Sequence, residues 1–401
     1  MRPIKSPFIK TLIFLFILAL VITSQLYITG NQYIIRGFAN TYMKGRTTAG
    51  IYDYTDFDNR IILSGQAQAW DLHSNYNQIP LTDSLRFNLE KYKSDAFIII
   101  HDGKLFYEEY WNGRTAVDVS NSFSMAKTYV AFLLFKAIEN GDIQSLEQPI
   151  TDFLPQFKND TFGAKCSVGD LAAMTSGFDW KENYYLPLNP TAKAYFGTKI
   201  NDQMLNRKFI SEPGKHFEYL SGNTQLLGMV IEKATGHNLS YLLSEQLWKP
   251  LGMEHNALWS LDGSGETEKA YCCVNATALD FAKIGSLFLQ KGNWKGRQII
   301  DTVHIDKMTF PNTAAFESTE IPVYGYSVWM DYSQSPAFYA FLGHLGQRTI
   351  IVPEHHLVIL RLGHKKDERI LGKRPLEKTA TDAYYMVDEV VKMLDKNLEI
   401  K

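Results

Sequence analysis

The sequence predicts an α+β fold: an antiparallel β-sheet flanked by helices, interrupted by a mainly helical insertion and preceded by one N-terminal transmembrane helix. Three observations predict it. Strand-type runs lie near residues 97–111 and again at 324–362, helical periodicity dominates between them, and a long uncharged apolar run opens the chain.

The apolar run is the clearest of the three. Arg2, Lys5 and Lys10 precede Thr11–Ile22, and no charged residue follows until Arg36. Roughly 20 uncharged, mostly apolar residues suffice to cross the hydrocarbon core as one helix. The basic flank favours the cytoplasmic side. Residues 1–10 therefore read as a cytoplasmic tail, 11–29 as an anchor in the cytoplasmic membrane, and the rest as extracytoplasmic, or periplasmic. A cleaved signal peptide starts the same way. No A-x-A-like site follows the run, and the domain is exported in either case.

Residues 30–80 are rich in Tyr, Asp and Asn without a clear period and read as a spacer. One large folded domain is expected over 81–396, with its helical insertion at about 136–290. Phe97–Ile100 and Leu105–Trp111 flank Asp102-Gly103, the strongest short hairpin signal. Apolar periodicity from Ser124 to Asn140, closed by Gly141, predicts a buried helix. Further helices are expected over Asn223–Thr235, Ala276–Gln290 and about Pro375–Leu394. Tyr324–Met330, Gly346–Val352 and Leu357–Leu362 read as strands.

Composition bounds the function. In 401 residues, 45% are hydrophobic and 21% charged, as in ordinary folded proteins. The formal net charge of -2 gives no reason to expect a nucleic acid partner. The three cysteines, Cys166 and the adjacent Cys272 and Cys273, form neither a disulfide framework nor a zinc-ligand spacing, and free thiols are expected. No metal or organic cofactor is called for, and oligomeric state is not written in the sequence.

Three short elements carry chemistry. Ser124-Met125-Ala126-Lys127 opens a helix, and residues three apart share a face, so an ammonium can sit against a hydroxyl. Serine needs a neighbour to remove its proton. A lysine does so only when burial or nearby charge keeps it neutral. Pro213-Gly214 leads through Tyr219 and Ser221 to a helix start, where a tyrosine can carry a proton to a leaving group. Gly343-His344-Leu345-Gly346-Gln347 enters an apolar strand whose glycine-flanked edge permits close approach of substrate. No G-x-S-x-G elbow is present, which argues against a Ser-His-Asp hydrolase.

These elements, in this order, resemble the serine β-lactamase and penicillin-binding superfamily, and in particular the class C β-lactamase-like esterases, D-aminopeptidases and 6-aminohexanoate-dimer hydrolases. Asp170–Gly177, Phe217–Gly228, Leu247–Met253 and Glu268–Ala278 extend the likeness over about residues 80 to 395. The resemblance implies a β-lactamase/transpeptidase-like fold, with Ser124 as acylated nucleophile, Lys127 as activating lysine and Tyr219 as proton shuttle. His344-Leu345-Gly346 stands where the family has K-T-G, and the Gln347 N–H would complete an oxyanion hole with that of Ser124. Ser221 replaces the asparagine of Y-x-N. His344 in place of a lysine weakens the hold on a substrate carboxylate, which favours esters or small amides over β-lactams. Trp180, Tyr184 and Tyr185 are candidates for the acyl pocket. A D-amino-acid or cell-wall peptidase is the alternative. A penicillin-sensing protein that stays acylated is another, disfavoured by the short stretch before the apolar run.

Overall fold

The computed structural model describes residues 7–313, 322–369 and 374–398. Helices α1 (Pro7–Ile28) and α2 (Tyr33–Asn40) lead to strand β1 (Asn59–Ile62), helix α3 (Asp83–Lys91) and the hairpin β2 (Ser94–His101) and β3 (Lys104–Tyr110). Strand β4 (Val119–Asn121) feeds α4 (Ala126–Asn140). Then follow α5 (Val168–Ala172), α6 (Pro190–Phe196), α7 (Ile200–Leu205), α8 (Ser221–Thr235) and α9 (Leu239–Leu243). Strands β5 (Ala257–Ser260) and β6 (Val274–Thr277) precede α10 (Ala278–Leu289), and β7 (Asn293–Trp294) and β8 (Arg297–Gln298) precede α11 (Thr302–Met308). The last elements are β9 (Trp329–Asp331), β10 (Phe338–Gly343), β11 (Gln347–Val352), β12 (Leu357–Gly363) and α12 (Glu377–Leu398).

Six strands form one antiparallel sheet in the order β3-β2-β12-β11-β10-β9. The early hairpin thus pairs directly with the late strands, Ile99 opposite Ile359, and the late strands pair with one another, Thr349 opposite Phe341. The hairpin turns where expected, with Asp102 and Gly103 both in the left-handed region, at φ 50° and 73°. Alternation splits the apolar residues between two faces. Ile98, Ile100 and Leu360 join the core shared with α4, α8 and α10, while Phe97, Ile99 and Ile359 pack beneath α12. A smaller sheet, β1-β5-β6-β4, lies within the helical region.

Two local expectations fail. Of the strand expected over 324–330 only Trp329 and Met330 extend, as the start of β9; residues 324–328 form a turn, with Ser327 at φ 58° and Tyr324 bridging back to Trp329. Cys272 and Cys273 are joined in a disulfide rather than free. Their Cα atoms are 3.7 Å apart, closer than in ordinary bridges, so adjacency argued against pairing. Here Cys273 adopts φ 75° and closes a tight turn before β6. Cys166 is free and buried.

Candidate active site

Ser124 lies in a 3-10 turn, Phe123–Met125, that runs straight into α4. The chain enters this turn with Phe123 at φ 44°, fixed by the Asn121 Oδ1 that accepts its N–H at 2.8 Å. The hydroxyl therefore sits at the positive end of a 15-residue helix. Lys127, one turn on and 1% exposed, donates from Nζ to Ser124 Oγ at 3.0 Å and to the Tyr271 carbonyl at 2.9 Å. Burial lowers the Lys127 pKa to about 8, with Glu182 partly offsetting the shift.

Tyr219 precedes α8, and its phenol interacts with Ser124. Its ring lies 5.0 Å from Lys127 Nζ. Burial holds this phenol well above its ordinary pKa, so it stays protonated at neutral pH. The segment is placed by close packing. A side chain on Gly222 would meet the rings of Phe178 and Trp180 at 2.8 and 2.9 Å, which only glycine avoids.

Glu182 was missed by the sequence reading, although its aromatic neighbours were singled out. Its carboxylate accepts the Ser221 N–H at 2.8 Å and the Ser221 hydroxyl at 2.7 Å, and so caps the N-terminus of α8 from a distant loop. It also takes the Trp180 indole N–H at 2.9 Å. No local signal marked it, because residues 180–184 lie in neither a helix nor a strand and only the tertiary contact brings the carboxylate to Ser221.

Tyr184 and Tyr185 line the cavity above Ser124, as expected, together with Ser221 and His344. The Tyr184 phenol interacts with Glu182 and Ser124, although 36% of the residue is exposed. Trp180 does not line that cavity. It is 3% exposed and packs beneath Gly222 with the Arg207 guanidinium 5.3 Å from its ring. Ser221 faces the cavity, but its hydroxyl is held by Glu182.

His344 stacks near Tyr184, with ring centroids 4.9 Å apart, and its Nε2 lies 3.1 Å from Thr48 Oγ1. Burial, with Lys366 and Arg348 nearby, lowers its pKa to about 4, so it is neutral at pH 7. The Gln347 N–H does not face the cavity as expected. It closes a tight turn by donating to the His344 carbonyl, with Leu345 and Gly346 at φ 61° and 85°. The Gln347 amide side chain bonds Gly363 in both directions, and Arg361 Nη1 donates to the Gly346 carbonyl at 2.9 Å, which pins the turn.

The apolar cavity over Ser124 has a volume of about 190 Å³. Outside it, among the described residues, His73, His101 and Asp102 bring ligand atoms within 4.8 Å of one another near the hairpin turn.

A serine at a helix start, a buried lysine one turn on and a tyrosine from a second helix form one constellation, and the chain around it matches a known family. The Beta-lactamase family profile matches residues 88–377. The chain belongs to the β-lactamase family. Among relatives of this β-lactamase-family chain is 6-aminohexanoate-dimer hydrolase from Paenarthrobacter ureafaciens, 25% identical over 226 residues, which are 54% of this chain and 57% of that protein. A D-aminopeptidase from Brucella anthropi is 24% identical over 47% of this chain and 37% of its own length. The chain thus spans little more than half of the first of these relatives, and less of the second. A solved structure of a candidate 6-aminohexanoate-dimer hydrolase from Bacillus anthracis superposes with a TM-score of 0.69 at 23% identity, covering 90% of this chain and 92% of that one.

Proposed function

We propose that this family member cleaves ester or small amide bonds through a covalent Ser124 acyl-enzyme, on the extracytoplasmic side of the membrane that α1 anchors it to. The observation that carries the reading is the buried Lys127 amine 3.0 Å from Ser124 Oγ. With a pKa of about 8, Lys127 is neutral in a usable fraction of molecules at neutral pH. It is therefore the group suited to take the serine proton, whereas the Tyr219 phenol, held protonated, suits proton donation to the leaving group.

Ser124 Oγ attacks the acyl carbon, and the oxygen that gains charge is stabilised by the positive end of α4. The bond to the alcohol or amine breaks as Tyr219 protonates it. Water then attacks the acyl-enzyme, releasing the acid and restoring the serine. His344, neutral and placed between Tyr184 and Thr48, offers no fixed cation to a substrate carboxylate. That supports uncharged esters and amides over β-lactams. The similarity to an aminohexanoate-dimer hydrolase and a D-aminopeptidase supports amides as well as esters. The apolar α1, long enough to cross a membrane, supports the anchored placement.

The test compares wild type with Ser124→Ala on a short-chain p-nitrophenyl ester and a chromogenic cephalosporin. Ester turnover should fall by about 10⁴-fold or more in the variant, with little cephalosporin cleavage by either. Equal ester turnover in both would sink the reading.

A further inference from the structure

The cavity over Ser124 is walled by the segment that follows the apolar helix. Tyr33, Ile34, Gly37, Phe38, Thr41 and Tyr42 repeat at helical spacing, so one face of α2 and the turn after it forms that wall. Helix α2 is held there by α6: a side chain on Gly37 would meet the Phe196 ring at 3.1 Å, and Arg36 Nη1 donates to the Phe196 carbonyl at 3.3 Å. The last turn of α1 reaches the same place. Tyr27 and Gly30 share a hollow with Tyr33, Arg36, Lys193 and Phe196.

Around this mouth the surface is apolar where a water-facing active site would be polar. Phe38, Tyr42, Leu186 and Leu188 are each more than half exposed. Only residues 29–32 separate α2 from α1, none of whose residues is buried. Exposed apolar groups gathered at one place mark a contact with another apolar phase. Arg36 and Lys193 line the hollow that also holds Tyr27 of α1, where an anionic lipid surface would attract them. Sharing Thr48 and His344, a second cleft of about 960 Å³ opens, whose charged lining is Arg46, Lys93, Lys365 and Lys366 with Glu90 and Glu368. The two clefts share Thr47, Thr48, Ala49, Tyr185 and His344.

We propose that the substrate is a membrane amphiphile, a long-chain acyl ester or amide, which leaves the lipid layer along α2 with its chain in the apolar cavity and its polar head over the lysine-lined cleft. This rests on the Ser124 acyl-enzyme reading and names its substrate class. The bonds made and broken are those already given, and the products are a fatty acid and the head-group alcohol or amine. Helix α2 acts as the wall that carries the chain from bilayer to serine, which explains why the catalytic cavity is built partly from the segment next to the anchor.

The full chain, reconstituted in phosphatidylcholine vesicles, is assayed with p-nitrophenyl laurate in the vesicles and p-nitrophenyl acetate in water. Active sites are counted by labelling with a fluorophosphonate. Wild type should prefer laurate in kcat/KM by about tenfold or more, and Ile34→Asp and Phe38→Asp should each lower the laurate-to-acetate ratio by about tenfold. Because the ratio is taken per labelled site, a poorly folded fraction does not alter it. Equal or better turnover of acetate by wild type, or ratios unmoved in both variants, would overturn the proposal. A laurate preference that persists in detergent micelles but vanishes in vesicles would overturn the lipid source. Failure of both esters, with wild type and Ser124→Ala alike, would instead count against the acyl-enzyme reading.

Discussion

Lys127 and Lys269 are both buried, 1% and 0% exposed, and the loop that carries Lys269 also supplies the Tyr271 carbonyl to Lys127. Burial lowers the pKa of each, to about 8 for Lys127 and well below the ordinary value for Lys269. Their surroundings differ. Lys127 Nζ meets Ser124 Oγ and a carbonyl, whereas Lys269 Nζ has no hydrogen-bond partner among the described residues and lies 3.0 Å from the centre of the Phe57 ring and 4.7 Å from that of Tyr195. Desolvation alone makes an amine neutral. It becomes a base only where a proton donor stands within reach, so position rather than pKa separates the two.

The largest effect that would break this contrast is on catalysis. Lys127→Met should lower kcat for ester hydrolysis by about 10³-fold, measured per correctly folded molecule, while Lys269→Met leaves it near wild type. Comparable losses in both would show that the Lys269 region serves the chemistry. Next comes stability. Replacing an unpartnered buried amine with an apolar chain of similar length removes a desolvation cost, so Lys269→Met should raise unfolding free energy by about 1–3 kcal/mol, read by urea denaturation.

The same two lysines set a pH dependence. Unfolded lysine holds its proton to about 10.5, folded Lys127 only to about 8, and burial also holds folded Lys269 well below its ordinary value. Over that window the unfolded state binds more protons, so stability should rise as pH climbs towards 10.5. Either Met variant should flatten part of that rise in denaturation series. The smallest effect concerns Glu182, whose charge raises the Lys127 pKa. Glu182→Gln should move the limb of kcat/KM that rises through about 8 to lower pH. A shift to higher pH would contradict that coupling.

Much of the fold was legible because local signals agreed with the final packing. Asp102-Gly103 specifies a two-residue hairpin turn, Gly141 ends α4 in the left-handed region at φ 83°, and alternation in β2 assigns its two faces. Where a tertiary contact overrode the local signal, the reading failed. The apolar run at 324–330 folds back at Ser327 and extends only from Trp329, and β10, with all its residues buried, carries no polar alternation to mark it as a strand.

By itself the sequence determined the Ser124–Lys127 pair, because three residues along one helix fix that distance, and the apolar segment α1, because length and composition suffice. Only the tertiary structure decided the rest. It brought Tyr219 and Glu182 to Ser124 across more than fifty residues of chain, turned the Gln347 N–H into its own turn, joined Cys272 to Cys273 and laid α2 over the cavity. The physical reason is range. Periodicity and spacing act over a few residues, whereas these contacts depend on how distant segments fill space against one another.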